Sequence, residues 1–118
     1  MVLANACHKK QEYDPLVNTY KMDGGYDMSG YCYSSGSQPT GDVYFEYITV
    51  ISRDTISSTR RNNAYFHFIS SDLGNNTITF LYDWTSNPFH DTIVYNYSTG
   101  KLRHATMQGN TWCSWSSQ

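Results

Sequence analysis

Between Asn76 and Trp115 the chain passes through two stretches of alternating or branched apolar residues and then a more polar third, each bounded by Asn, Ser, Pro, Thr or Gly. Branched and aromatic side chains suit a pleated surface, so such bounded runs read as strands. Within residues 76–84, Ile78, Phe80, Tyr82 and Trp84 share one face while Thr79, Leu81 and Asp83 share the other, the period of a strand with one buried side. Residues 92–97 form the next strand, Thr99-Gly100 turns it, residues 101–108 return, and a terminal strand carries Cys113. Upstream, Tyr65, His67 and Ile69 alternate with Phe66 and Phe68 and predict one more strand.

The run VYFEYITVIS, which follows a Ser- and Gly-rich loop, supports two readings. Tyr44, Ile48 and Ile51 recur at i, i+4 and i+7 behind a capping Thr40 or Asp42, as a helix over residues 42–55 requires. The same residues are branched or aromatic, as a strand prefers. Pattern alone leaves both open. Residues 1–31 carry turn signals at Asp14-Pro15, Asp23-Gly24-Gly25 and Ser29-Gly30 and a short helical turn near residues 16–22. They read as an N-terminal extension, packed on the domain or partly disordered, with residues 32–118 as the single domain that a chain of 118 residues has room for.

Composition narrows the class. Charged residues make up 15% of the chain, against roughly 25% in ordinary soluble domains, and tyrosine occurs 11 times. That balance suits a secreted β-rich protein better than a cytosolic enzyme. The opening Met-Val-Leu-Ala-Asn-Ala looks like the end of a signal peptide, with Met1 as an added start on a mature secreted chain. Three cysteines allow at most one internal pair. Cys32 and Cys113 bracket the predicted strands, and joining them closes 81 residues, worth about 4 to 5 kcal/mol in the chain-entropy model. Cys7 is then left over; the alternative is three reduced thiols.

Net charge is −2, with cations in small groups at Lys9-Lys10, Arg60-Arg61 and Lys101 with Arg103. This excludes the broad positive field of a non-specific nucleic-acid binder, though not local RNA contact. No apolar run approaches the ~20 residues of a membrane span. His90 and His104 stand without ligand-spaced partners, so no metal or other cofactor is expected. There is no phosphate loop, Ser-His-Asp set or C-x-x-C. Asn75-Asn76-Thr77 and Asn96-Tyr97-Ser98 are glycosylation sequons.

The order of Cys32, the loop around Pro39 to Asp42, Tyr82-Asp83-Trp84, Asp91-Thr92-Ile93-Val94-Tyr95-Asn96, Gly100-Lys101-Leu102 and Cys113 resembles the fungal guanine-specific ribonucleases. It is closer still to the ribonuclease-like secreted effectors of cereal powdery mildew fungi. The resemblance implies a helix at residues 42–55, a Cys32–Cys113 bridge, and an α+β domain with one helix packed on a four- to five-stranded antiparallel sheet. It places the catalytic base at Asp83, the arginine at Thr92, the acid at Met107 and the assisting histidine at His67. Methionine cannot transfer a proton and threonine cannot offset phosphate charge, so the implied protein is a pseudo-ribonuclease, not an enzyme, with a vestigial cleft.

The function implied is that of a monomeric virulence or avirulence effector. It is secreted by a fungus, acts in the plant cytoplasm on a host protein or RNA, and is read by an intracellular immune receptor. Arg60, Arg61, Tyr65, Lys101 and Arg103 are the candidate RNA or partner contacts. Two alternatives stand beside it: an active secreted ribonuclease using Asp83 and His67, and an unrelated secreted β-rich binding protein of lectin-like or lipocalin-like kind.

Overall fold

The computed structural model describes residues 14–82 and 89–118. Eight strands follow one another: β1 (Gly24–Ser34), β2 (Thr40–Ser52), β3 (Thr55–Ser58), β4 (Ala64–Asp72), β5 (Thr77–Tyr82), β6 (Phe89–Asn96), β7 (Lys101–Gln108) and β8 (Thr111–Ser117). Every strand pairs antiparallel with its neighbours in sequence, and β8 returns to pair with β1 from Met28↔Ser117 to Ser34↔Thr111. The result is a closed up-and-down barrel, which leaves no sheet edge unpaired.

This overturns the expected α+β fold. The segment expected as a helix over residues 42–55 is the longest strand, β2. Tyr44, Glu46, Ile48 and Val50 alternate inward while Val43, Phe45, Tyr47 and Ile51 face solvent. The i, i+4 spacing of Tyr44 and Ile48 is also an even spacing, so it fits a strand face equally well; Ile51, the i+7 member, is half exposed. Branched and aromatic residues decide for the strand because both flanking strands offer a ladder. Residues 24–31, assigned from sequence to an extension, belong to β1 and close the barrel.

The strands expected from alternation are present. Ile78 and Phe80 of β5, Phe66 of β4 and Ile93 of β6 are fully buried inside the barrel, with Ile48, Ile56 and Leu102 beside them. Full burial of such side chains contributes about 1.5 to 3 kcal/mol each. A 3₁₀ helix, Pro15–Met22, covers this apolar end. Asp14 caps it by accepting from Leu16 N at 3.0 Å. Met22 is buried, Thr19 Oγ1 donates to the Arg53 carbonyl at 2.6 Å, and Tyr95 donates to the Lys21 carbonyl at 3.3 Å.

Closure depends on one glycine. Gly30 lies opposite Trp115 on β8, and a Cβ at that position would sit 1.9 Å from the Ser114 carbonyl oxygen. Only hydrogen lets β1 come this near the Trp115 backbone. Two residues on, Cys32 and Cys113 face each other across the same seam and form the disulfide, with Cα atoms 4.0 Å apart. Among the described residues no helix is long and apolar enough to cross a membrane.

Candidate functional site at the barrel mouth

Opposite the helix-covered end the inward positions turn polar. Glu46 follows Ile48 up β2, His104 follows Leu102 up β7, Asp91 precedes Ile93 on β6, and Ser58 ends β3. All four are buried. Strand alternation forces them inside, where a charge is tolerated only if paired.

They pair with one another. His104 Nδ1 donates to Glu46 Oε2 at 2.7 Å and to Oε1 at 3.0 Å, and His104 Nε2 donates to Asp91 Oδ1. Both ring nitrogens thus face carboxylates, which is the arrangement an imidazolium satisfies. Ser58 Oγ donates to Glu46 at 2.5 Å, Tyr44 OH donates to Glu46 at 2.7 Å, and Arg61 Nε donates to the remaining oxygen of Asp91. With His104 protonated, the two carboxylates are balanced by two cations.

Burial alone would push His104 down, but its hydrogen bonds to Asp91 and Glu46, and their charge, hold it above the ordinary histidine value of 6.5. Burial alone would raise Glu46; the hydrogen bond and charge of His104, then Ser58 and Tyr44, bring it below the ordinary 4.5. The Tyr44 hydroxyl is pushed well up by burial and by Glu46.

Above this network lies a cavity of about 310 Å³, lined by the Cys32–Cys113 bridge, Trp115, Thr106, Gln108, Thr111, Arg60 and Arg61. The 3₁₀ turn Thr59–Arg61 supplies both arginines. Ser58 caps that turn through Arg60 N at 3.0 Å, and Asn62 ends it in the left-handed region. The Arg60 guanidinium lies 4.0 Å from the Tyr44 ring centre and 4.6 Å from that of Trp115. Its carboxylate partner is Asp42 at 3.4 Å, a pair with both side chains about one-third exposed.

The residues singled out from sequence are divided between mouth and outer wall. Arg60, Arg61, Cys32 and Cys113 are at the mouth. His67 of β4, Thr92 of β6 and Met107 of β7 all point outward, on the outer wall of the barrel and away from the mouth. His67 Nδ1 is 3.2 Å from Thr55 Oγ1, a cross-strand pair. Thr92, Met107 and Arg103 share an outer recess of about 360 Å³ with His90 and Trp112, and Arg103 and Lys101 share a second of about 540 Å³. Tyr65 is exposed on β4, whereas Tyr95 and Trp115 are core. Asp83, Trp84 and Cys7 lie outside the described residues.

Sequence reasoning gave Glu46, Asp91, Ser58 and Tyr44 no place in a site and treated His104 as isolated. The available signal was parity: Glu46, Asp91, Ser58 and His104 each lie two places from a buried aliphatic in the same strand, and Tyr44 lies two places from Glu46. Among the described residues no cluster of metal-ligating side chains is present; Arg61 and His104 already occupy the carboxylates that a cation would use. Comparison with protein-family models, with curated proteins and with solved structures finds no match in any of the three.

Proposed function

We propose that this chain is a secreted, non-catalytic binding protein in which a disulfide-closed β-barrel presents its mouth to a small ligand. The observation that carries this is the cavity of about 310 Å³ between Arg60, Arg61 and Trp115. An eight-stranded barrel has an interior that side chains fill or that holds one small ligand, and here the lower half is filled while the upper end is open. Turnover is disfavoured by the same geometry. His104, the natural acid or base, is fully buried with both nitrogens bound to carboxylates, so it has no free valence for a substrate proton.

The biological setting implied by the resemblance, a fungal effector acting inside plant cells, is retained on this different frame, as is capture by a host protein. What favours a protein partner is the outer face of β1 and β2. There Tyr31, Val43, Phe45 and Tyr47 are exposed at 55%, 77%, 62% and 41%, a row of apolar surface that monomers seldom leave open.

Two assays test the proposal. Purified protein incubated with single-stranded RNA is expected to leave it intact without metal; cleavage lost on Asp83→Ala would restore the ribonuclease reading. Expression in leaf cells followed by pull-down is expected to recover a host protein with the wild type and not with Phe45→Ser. Equal recovery by both would remove the β1–β2 face from the account.

A further inference from the structure

The fold brings the two glycosylation sequons, Asn75-Asn76-Thr77 and Asn96-Tyr97-Ser98, side by side. They occupy the β4–β5 and β6–β7 turns, at the end of the barrel that the 3₁₀ helix covers and away from the mouth. Thr77 pairs with Asn96, Tyr97 N donates to the Asn76 carbonyl at 3.0 Å, and Asn96 Nδ2 donates to the Asn75 carbonyl at 3.3 Å. The two amides are nevertheless engaged differently. Asn75 lies outside the strands and is exposed. Its Nδ2 donates to Asp72 Oδ2 at 2.6 Å, while Asp72 Oδ1 holds the turn by accepting from the backbone N–H groups of Gly74 and Asn75. A primary amide has two donor hydrogens, so one can be exchanged for a sugar while the other keeps the bond to Asp72. Asn96 is half-buried. Its Oδ1 closes the β6–β7 turn by accepting from Ser98 N at 2.9 Å and Thr99 N at 3.0 Å, and its Nδ2 points at the neighbouring turn. A sugar on that nitrogen would have to fit between the two turns.

We propose that Asn75 is the N-glycan acceptor of this chain, and that Asn96 is a structural amide that ties the two turns together and carries no sugar. This rests on the secreted reading, since the transfer takes place along the secretory route, and adds a modification to it. In the step, Asn75 Nδ2 forms a bond to the anomeric carbon of an oligosaccharide carried on a lipid diphosphate. The bond from that carbon to the diphosphate oxygen breaks, the lipid diphosphate leaves, and the amide gives up one proton. Thr77 supplies the hydroxyl that the motif requires. Transfer meets the chain before it has folded, so a sugar on Asn96 would have to be folded around, whereas one on Asn75 extends into solvent. A glycan at this end also stands clear of the cavity lined by Arg60, Arg61 and Trp115 and leaves the mouth open.

The test produces the full chain in yeast behind a supplied secretory leader. Folded protein recovered from the medium is treated with peptide:N-glycanase in heavy-oxygen water, which labels each formerly glycosylated asparagine as it is deamidated. Fragment mass spectra then read positions 75 and 96 separately. Label at position 75 and none at position 96 is the expected result. Asn75→Gln and Thr77→Ala are each expected to abolish the enzyme-sensitive shift on a gel, and Asn96→Gln to retain it. The two blocking variants change the sequon at different residues, so a loss common to both is loss of the acceptor and not of one side chain's packing. An unlabelled Asn75, a shift that survives Asn75→Gln, or label at position 96 of the wild type would overturn the proposal. Because the leader is supplied, an unlabelled Asn75 removes the acceptor and leaves the secreted reading standing.

Discussion

At the scale of single residues the interior hinges on His104. Removing its side chain leaves Glu46 buried with hydroxyl donors but no cation and Asp91 with Arg61 alone, and breaking a buried pair in this way costs about 3 to 5 kcal/mol. His104→Ala is therefore expected to lower the urea midpoint sharply. The two titrating partners also set a pH window. His104 is raised above 6.5 in the folded state, so its contribution is complete below that value and is lost as pH climbs through the folded pKa. Glu46 is lowered below 4.5, so its contribution is complete above that value and is lost as pH falls through the folded pKa. Both are fully present only between these limits. Melting temperature followed across pH is expected to be highest in that mildly acidic interval and to decline on the alkaline side. A profile that rises steadily from pH 6 to pH 8 would show that His104 is buried neutral.

At the scale of elements, strand alternation was legible and its closure was not. Ile78, Phe80, Phe66 and Phe68 announced β4 and β5 because one face of each is apolar and turn formers bound them. β2 was left open by its pattern, since Tyr44 and Ile48 satisfy both periods, and the helix came from the resemblance; the partners that choose the strand, β1 and β3, are recognisable only once paired. β1 itself reads GGYDMSGYCYS, and its glycines and serines look like loop until Gly30 is seen against the Trp115 backbone. The same gap hid the site. Glu46, Asp91 and His104 lie 58 and 13 residues apart along the chain, so no local motif joins them, whereas Cys32 and Cys113 were visible as the ends of the strand set. Gly30→Ala tests the closure directly. The added methyl would run into the Ser114 carbonyl and the Trp115 Cα of β8, and overpacking of this kind costs about 1 to 3 kcal/mol; a variant with unchanged thermal stability would mean the β1–β8 seam is looser than described.

At the scale of the whole molecule, the barrel is closed twice at one seam, by the β1–β8 ladder and by the Cys32–Cys113 bridge. The bridge ties off 81 residues, so its loss acts chiefly by freeing the unfolded chain. Cys113→Ser is expected to lower stability by about 2 to 5 kcal/mol in chemical denaturation while the ladder keeps the strand content visible by circular dichroism. The bridge also walls the mouth next to Trp115 and Arg60, which links the oxidised state to binding. The proposed function requires the mouth to hold a ligand. Native mass spectrometry of the oxidised protein, after exposure to a plant extract and removal of unbound solutes, tests it most directly. A small mass retained by the wild type and absent from Arg60→Glu is the predicted result; an unliganded wild type, or the same mass on both proteins, would contradict it.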